Sequence, residues 1–124
     1  MSIEGQILDL DKTYLAHPEI QPYFFSGQDI SPPDKEYPLV FAQAEYLADF
    51  IDSTITIGDR ADQQAFNPAA WDVWYRQQFR GSPILCRLVL HERDEYGPKI
   101  VSVARANCGR PQPYNPIFPA RRAP

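Results

Sequence analysis

The chain has 124 residues, of which 44% are hydrophobic and 23% are charged, and its formal net charge is −4. These values are typical of one globular domain and exclude a disordered chain, and the length allows a core without metal or disulfide support. The negative charge disfavours nucleic-acid binding, which needs a clustered basic face, and the sequence places only Arg121-Arg122 side by side near its C-terminus.

The first half of the chain predicts two main helices. Apolar residues at helical spacing predict a helix over about 3–17, with Ser2 as its N-cap, ending before Pro18. Pro18 to Phe25 is interpreted as a short turn of helix whose aromatic residues plug the core. A second apolar stripe predicts an amphipathic helix from Pro38 to about Ile57, ended by Gly58-Asp59. The stripe of the first helix is Ile3, Ile7, Leu10 and Tyr14, and that of the second is Val40, Ala44, Leu47, Ile51 and Ile55.

The second half predicts three shorter elements separated by proline. Asn67-Pro68 is the predicted start of an aromatic helix that ends at Gly81, and Ser82-Pro83 starts another that Gly97-Pro98 breaks. The segment Lys99–Cys108 suits a strand or a helix, and we favour a short helix because a lone strand would have no partner. We therefore predict an all-α fold, a bundle of four to five helices over 1–108, followed by a flexible, disordered Pro-rich tail over 109–124.

The cysteines and the apolar runs indicate a cytoplasmic protein. Cys86 and Cys108 lack the spacing of a metal site, so we expect neither a metal nor a cofactor and interpret them as free thiols in a reducing compartment. A single disulfide is the alternative. No apolar run approaches the roughly 20 residues that span a bilayer, so this chain itself should not cross a membrane.

One short motif suggests an enzyme. Asp9-Leu10-Asp11-Lys12-Thr13 resembles the first motif of the haloacid-dehalogenase-type phosphohydrolases, in which the first aspartate attacks phosphorus, the second is the general acid/base and magnesium assists. In that family, parallel strands supply the catalytic groups, whereas here the helical periodicity covers the same residues. On a helix, Asp9 and Asp11 lie about 200° apart and cannot converge on one ion.

An acidic stripe and an aromatic cluster each have a functional and a simpler structural interpretation. Glu45, Asp49 and Asp52 share a helix face and could bind a cation, but a solvated polar face explains them better. The aromatic residues Trp71, Trp74 and Tyr75 are candidates for a binding surface, but core packing explains them better, although two tryptophans in one turn are hard to bury fully.

The order of features along residues 1 to 106 resembles a group of small helical bacterial domains. The shared pattern lies at His17–Phe24, Ala44–Phe50, Trp71–Tyr75 and Phe79–Pro83. Members of this group often follow an N-terminal membrane anchor, and some relatives are labelled as phage-defence proteins. The resemblance implies a helical fold, and it implies membrane association only through an anchor outside this chain. It supplies no activity or catalytic residue.

These observations lead to two functional hypotheses. The first is a non-enzymatic interaction or regulatory module that binds another protein through Trp71, Trp74 or Tyr75. The alternative is a magnesium-dependent phosphohydrolase that uses Asp9 and Asp11. The sequence does not predict the oligomeric state.

Overall fold

Helices account for all of the regular secondary structure in the residues that the computed structural model describes, which are 3–60, 68–92 and 94–110. This confirms the predicted all-α class, although six α-helices are present within these ranges rather than four or five. They are α1 (Ile3–Ala16), α2 (Pro22–Phe25), α3 (Tyr37–Arg60), α4 (Pro68–Gly81), α5 (Pro83–Arg87) and α6 (Pro98–Asn107). A 3₁₀ turn at Pro18–Ile20 precedes α2, and a π-helical turn at Leu88–Glu92 follows α5.

Proline marks where most of these helices begin. Pro22, Pro68, Pro83 and Pro98 each open a helix, where the N–H that proline lacks would have no intrahelical partner. Ser82 caps α5, because its hydroxyl accepts a hydrogen bond from the N–H of Leu85 at 3.3 Å. The predicted start at Ser82-Pro83 is thus confirmed. The predicted N-caps Ser2 and Asn67 lie outside the described residues.

Two helix ends differ from the prediction. Helix α3 continues through Gly58-Asp59 to Arg60, so the predicted end was wrong. A glycine costs about 1 kcal/mol inside a helix, which weakens the helix without terminating it. The helix after Pro83 was expected to reach Gly97, but α5 continues only as the π-helical turn Leu88–Glu92, and residues 94–97 are not helical.

The ambiguous segment near the C-terminus is helical, as favoured. Ile100, Ala104 and Asn107 of α6 are buried, and their spacing of four and three places them on one helix face. Residues 109 and 110 of the predicted tail continue from this helix as a turn, and Gly109 has a φ of +83°. The rest of that tail, 111–124, lies outside the described residues.

The core forms between one face of α3 and the helices around it. The predicted α3 stripe is buried except for its last residue, Ile55, which is half-buried, and Ala48 and Phe50 join it. Leu10 and Tyr14 of α1 are also buried, and Ile3 and Ile7 pack partly against the core. Ile20, Tyr23 and Phe24 fill the core from the short segment before the α2–α3 loop, as predicted, whereas Phe25, also expected there, is half-buried.

The two cysteines form a disulfide, so the expectation of free thiols was wrong. Cys86 of α5 and Cys108 at the end of α6 have Cα atoms 5.9 Å apart. The helical turn of α5 and the packing of α6 bring together residues 22 positions apart, which sequence spacing alone does not reveal. Within the described ranges, no helix is long and apolar enough to cross a membrane.

We expect the disulfide to stabilise the fold. Replacing both cysteines, Cys86→Ser with Cys108→Ser, should lower the free energy of unfolding by about 3 kcal/mol, because closing a loop of this length restricts the unfolded chain. Urea unfolding followed by circular dichroism measures the change. The reducing agent TCEP should lower the stability of the wild type and leave the double variant unchanged. Equal stability of the oxidised and reduced wild type would contradict the bridge.

A buried hydrogen bond joins α3 to α4 and gives a second prediction. The Tyr75 hydroxyl donates to Thr54 Oγ at 2.7 Å, and both residues are buried. Thr54→Val should cost about 1–3 kcal/mol, because the tyrosine hydroxyl loses this buried acceptor, whereas Tyr75→Phe should cost about 1 kcal/mol. A double-mutant cycle by urea unfolding measures the coupling. Additive effects of the two substitutions would contradict a stabilising bond.

Candidate functional site

The two aspartates of the phosphohydrolase motif lie on helix α1, not at a strand end. Asp9 is half-buried and its carboxylate accepts a hydrogen bond from Tyr46 of α3 at 3.2 Å. Asp11, only 3% exposed, points in a different direction, because residues two positions apart diverge by about 200° on a helix. The arrangement therefore gives no support to the phosphohydrolase hypothesis, which stays an untested prediction.

The acidic stripe of α3 does not form a metal centre. Among residues 3–60, 68–92 and 94–110, no group of three or more histidine, cysteine or carboxylate side chains is placed to hold a metal ion. Asp52 instead faces Gly97, the residue before α6, with its Oδ1 3.3 Å from where a Cβ on that glycine would lie. A carboxylate near the first turn of a helix interacts favourably with the positive end of the helix dipole.

The aromatic cluster of α4 is mostly core. Trp74 is fully buried and Tyr75 is 6% exposed, so these two binding-surface candidates do not face solvent in the single chain. Trp71 is half-buried and keeps part of its indole at the surface. Its ring packs against Trp74, with ring centroids 5.6 Å apart, and against Phe50 of α3 at 6.0 Å. The packed rings of Phe50 and Trp74, which form an aromatic base, thus hold Trp71 in one position at the surface.

A small groove opens between α1 and α3, beside this aromatic base. It has a volume of about 290 Å³, close to the lower end of the range for ligand pockets. Phe50, only 2% exposed, lies at its inner side, and Trp71 packs on the same phenyl ring. The other described lining residues are polar, namely Gln6, Tyr46, Asp49 and Ser53.

Helix packing explains why these side chains share the groove. Tyr46, Asp49, Phe50 and Ser53 follow one another at spacings of three, one and three, so they lie along one edge of α3. This edge borders the face that packs against α1. Gln43, one turn earlier, secures the contact by donating from its side-chain amide to the Leu10 carbonyl at 3.3 Å.

Hydrogen bonding and charge affect Tyr46, the hydroxyl that lines the groove. Desolvation, the hydrogen bond to Asp9 and the negative charge of that carboxylate all raise the pKa of Tyr46. The phenol therefore stays protonated over the physiological range. It can accept a hydrogen bond from a bound group while it donates to Asp9.

Sequence reasoning missed most of this groove. Asp49 was considered only as a cation ligand, and Gln6, Tyr46 and Ser53 were not considered. Each is a polar residue on an amphipathic helix, and such residues are ordinarily solvated. The pairing of Tyr46 with Asp9 depends on how α1 docks on α3, which helical periodicity does not specify. Comparison of the chain with protein-family models, with curated proteins and with solved structures gives no match.

The Tyr46–Asp9 pair leads to a prediction about pH. Asp9→Asn should lower the pKa of Tyr46 toward its ordinary value, because the amide still accepts a hydrogen bond but carries no negative charge. NMR titration of ¹³Cζ-labelled tyrosine measures the change. The exposed carboxylate of Glu4 on the same helix provides the control, and Glu4→Gln should leave the pKa of Tyr46 unaltered.

The same pair fixes the sign of a pH effect on stability. A tyrosine whose pKa is higher in the folded state contributes stability that is fully present below the unfolded pKa of about 10. That contribution is lost as the pH rises through the folded pKa. An Asp9→Asn variant in which the pKa of Tyr46 equals that of the wild type would show that the carboxylate does not act on the phenol.

Proposed function

We propose that this chain is a non-enzymatic helical module that binds a segment of another protein in the groove between α1 and α3. The observation that carries the proposal is the groove itself, in which the polar groups of Gln6, Tyr46 and Ser53 border the nearly buried Phe50 ring, and half-buried Trp71 packs on that ring. A peptide segment offers the same combination, an apolar side chain flanked by backbone N–H and C=O groups.

Recognition energetics also favour Trp71, which lies beside the groove, over the rest of α4 as a contact residue. Binding energy at protein interfaces concentrates in aromatic anchors that are held rigidly and only partly exposed. Trp71 fits that description, because Phe50 and Trp74 fix its ring and leave one part accessible. The buried neighbours Trp74 and Tyr75 pack beneath Trp71. Of the three residues predicted to form a binding surface, Trp71 is therefore the one that a partner can contact.

The resemblance to small bacterial domains adds a context to this proposal. A regulatory role in a bacterial protein, including a phage-defence setting or an anchor outside this chain, is compatible with a docking groove. A cytoplasmic location stays a prediction, and the Cys86–Cys108 disulfide weighs against it, because such bridges persist mainly in oxidising compartments.

Peptide selection tests the proposed groove. Random peptides displayed on phage are selected against the immobilised full chain, and the enriched peptides are titrated against variants. Ser53→Arg places a long charged side chain in the groove from an exposed position, so it should weaken binding by at least about tenfold, or 1.4 kcal/mol. The same substitution at exposed Ser102 of α6, Ser102→Arg, should leave binding within about twofold.

Peptides that bind Ser53→Arg as tightly as the wild type would show that recognition occurs elsewhere. Failure to enrich any peptide would argue against a peptide-binding module. Circular dichroism melting of both variants checks that the fold is retained, which we expect because neither serine is buried.

A further inference from the structure

A second concavity brings together three arginines that are distant in the sequence. It has a volume of about 720 Å³ and is lined by the α2–α3 loop, the end of α4, helix α5 and the turn after α6. Arg80, Arg87 and Arg110 all line it, and among the described residues Asp29 is the one carboxylate of its lining. An excess of guanidinium groups in one cleft is unexpected in a chain whose net charge is −4.

Arg87 and Asp29 form one wall of this cleft. Arg87 makes an ion pair with Asp29 and donates a second hydrogen bond to the Ile30 carbonyl at 2.9 Å. Burial acts to raise the pKa of Asp29, but the hydrogen bonds from Arg87 and the Ile30 N–H and the arginine charge outweigh it and lower the pKa. The carboxylate is therefore ionised at neutral pH and is already paired within the wall.

A buried amide orients Arg80, which has no ion-pair partner among the described residues. Its Nε donates to the side-chain oxygen of Asn107 at 3.0 Å, and Asn107 is itself buried and fixed by a hydrogen bond to the Val103 carbonyl at 2.9 Å. This bond sets the plane of the guanidinium and leaves its two terminal nitrogens as donors. Across the described ranges, no carboxylate lies within ion-pair distance of Arg80.

Arg110 is held in the cleft lining by the turn that follows α6. Its N–H donates to the Asn107 carbonyl at 3.3 Å, and Gly109 adopts a positive φ of 83° that allows the turn. The disulfide from Cys108 to Cys86, a residue of the cleft lining, ties this turn to α5. Arg110 likewise has no carboxylate within ion-pair distance in the part of the chain that the structure describes.

We propose that this cleft is a binding site for a phosphoryl dianion, with Arg80 and Arg110 as its ligands and the Arg87–Asp29 pair as its wall. Guanidinium groups match the geometry of phosphate oxygens and bind them through paired hydrogen bonds. A dianion neutralises both arginines at once, whereas a carboxylate leaves one of them uncompensated. The shared chemistry covers a free phosphate and a phosphoryl group carried on a serine.

NMR titration of the full 124-residue chain tests the site, with inorganic phosphate, a blocked phosphoserine peptide and acetate as probes at constant ionic strength. Phosphate should shift the amide signals of Gly27, Gly109 and Arg110 saturably, with a Kd of about 1 mM or tighter. Arg110→Gln and Arg80→Gln should each weaken binding by about tenfold, since each removes one charge-assisted contact. Arg105→Gln removes the same charge from an exposed position of α6 outside the cleft, and it should change Kd by less than about twofold.

Several results would overturn the proposal. They are wild-type affinity in both cleft variants, a loss in Arg105→Gln equal to that in Arg110→Gln, and acetate binding as tight as phosphate binding. Arg110 is exposed, so its substitution should not affect folding, and circular dichroism verifies this for Arg80→Gln. Tighter binding of the phosphoserine peptide than of inorganic phosphate supports a protein-borne phosphoryl group, and the reverse order supports a free phosphate site.

Discussion

Burial of one face of α3 organises the rest of the domain. Val40, Ala44, Leu47, Ala48 and Ile51 are each no more than 1% exposed, and they run along one side of a helix of 24 residues. Covering each of the larger side chains contributes about 1.5–3 kcal/mol, and the two alanines let neighbouring helices approach closely. Helices α1, α5 and α6 all pack against α3, so its edges define where grooves between helices can form.

The second half of the chain closes the bundle with polar and covalent links as well as apolar contacts. Trp74 packs edge-on against Phe50, with ring centroids 5.9 Å apart, and the Tyr75–Thr54 hydrogen bond fixes the rotation of α4 relative to α3. Helix α5 has only five residues, too few to be stable by its own hydrogen bonds. Its position therefore depends on buried Ile84 and Leu85 and on the disulfide from Cys86.

Helical periodicity predicted the elements well but not their assembly. The stripes of α1 and α3 and the cap at Ser82 follow from local sequence, because spacing of three and four residues and capping chemistry are local properties. The disulfide was missed, since it depends on where α6 docks. Burial of Trp74 and Tyr75 depends on how α4 docks on α3, where Trp74 meets Phe50 and Tyr75 bonds to Thr54. Arg80, Arg87 and Arg110 each resemble solvated surface residues in the sequence, and their common cleft exists only in the folded chain.

The groove and the cleft depend on different parts of the fold. The groove lies along an α3 edge, so its shape follows directly from packing of the core, and none of the described residues lines both the groove and the cleft. The cleft includes a turn at residues 108–110, of which Gly109 and Arg110 are exposed and contribute no apolar burial. Buried Asn107 and the bridge at Cys108 are what hold that turn against α5 and α4. The geometry of this anion-binding edge thus depends on a covalent bond, the disulfide, rather than on the hydrophobic core.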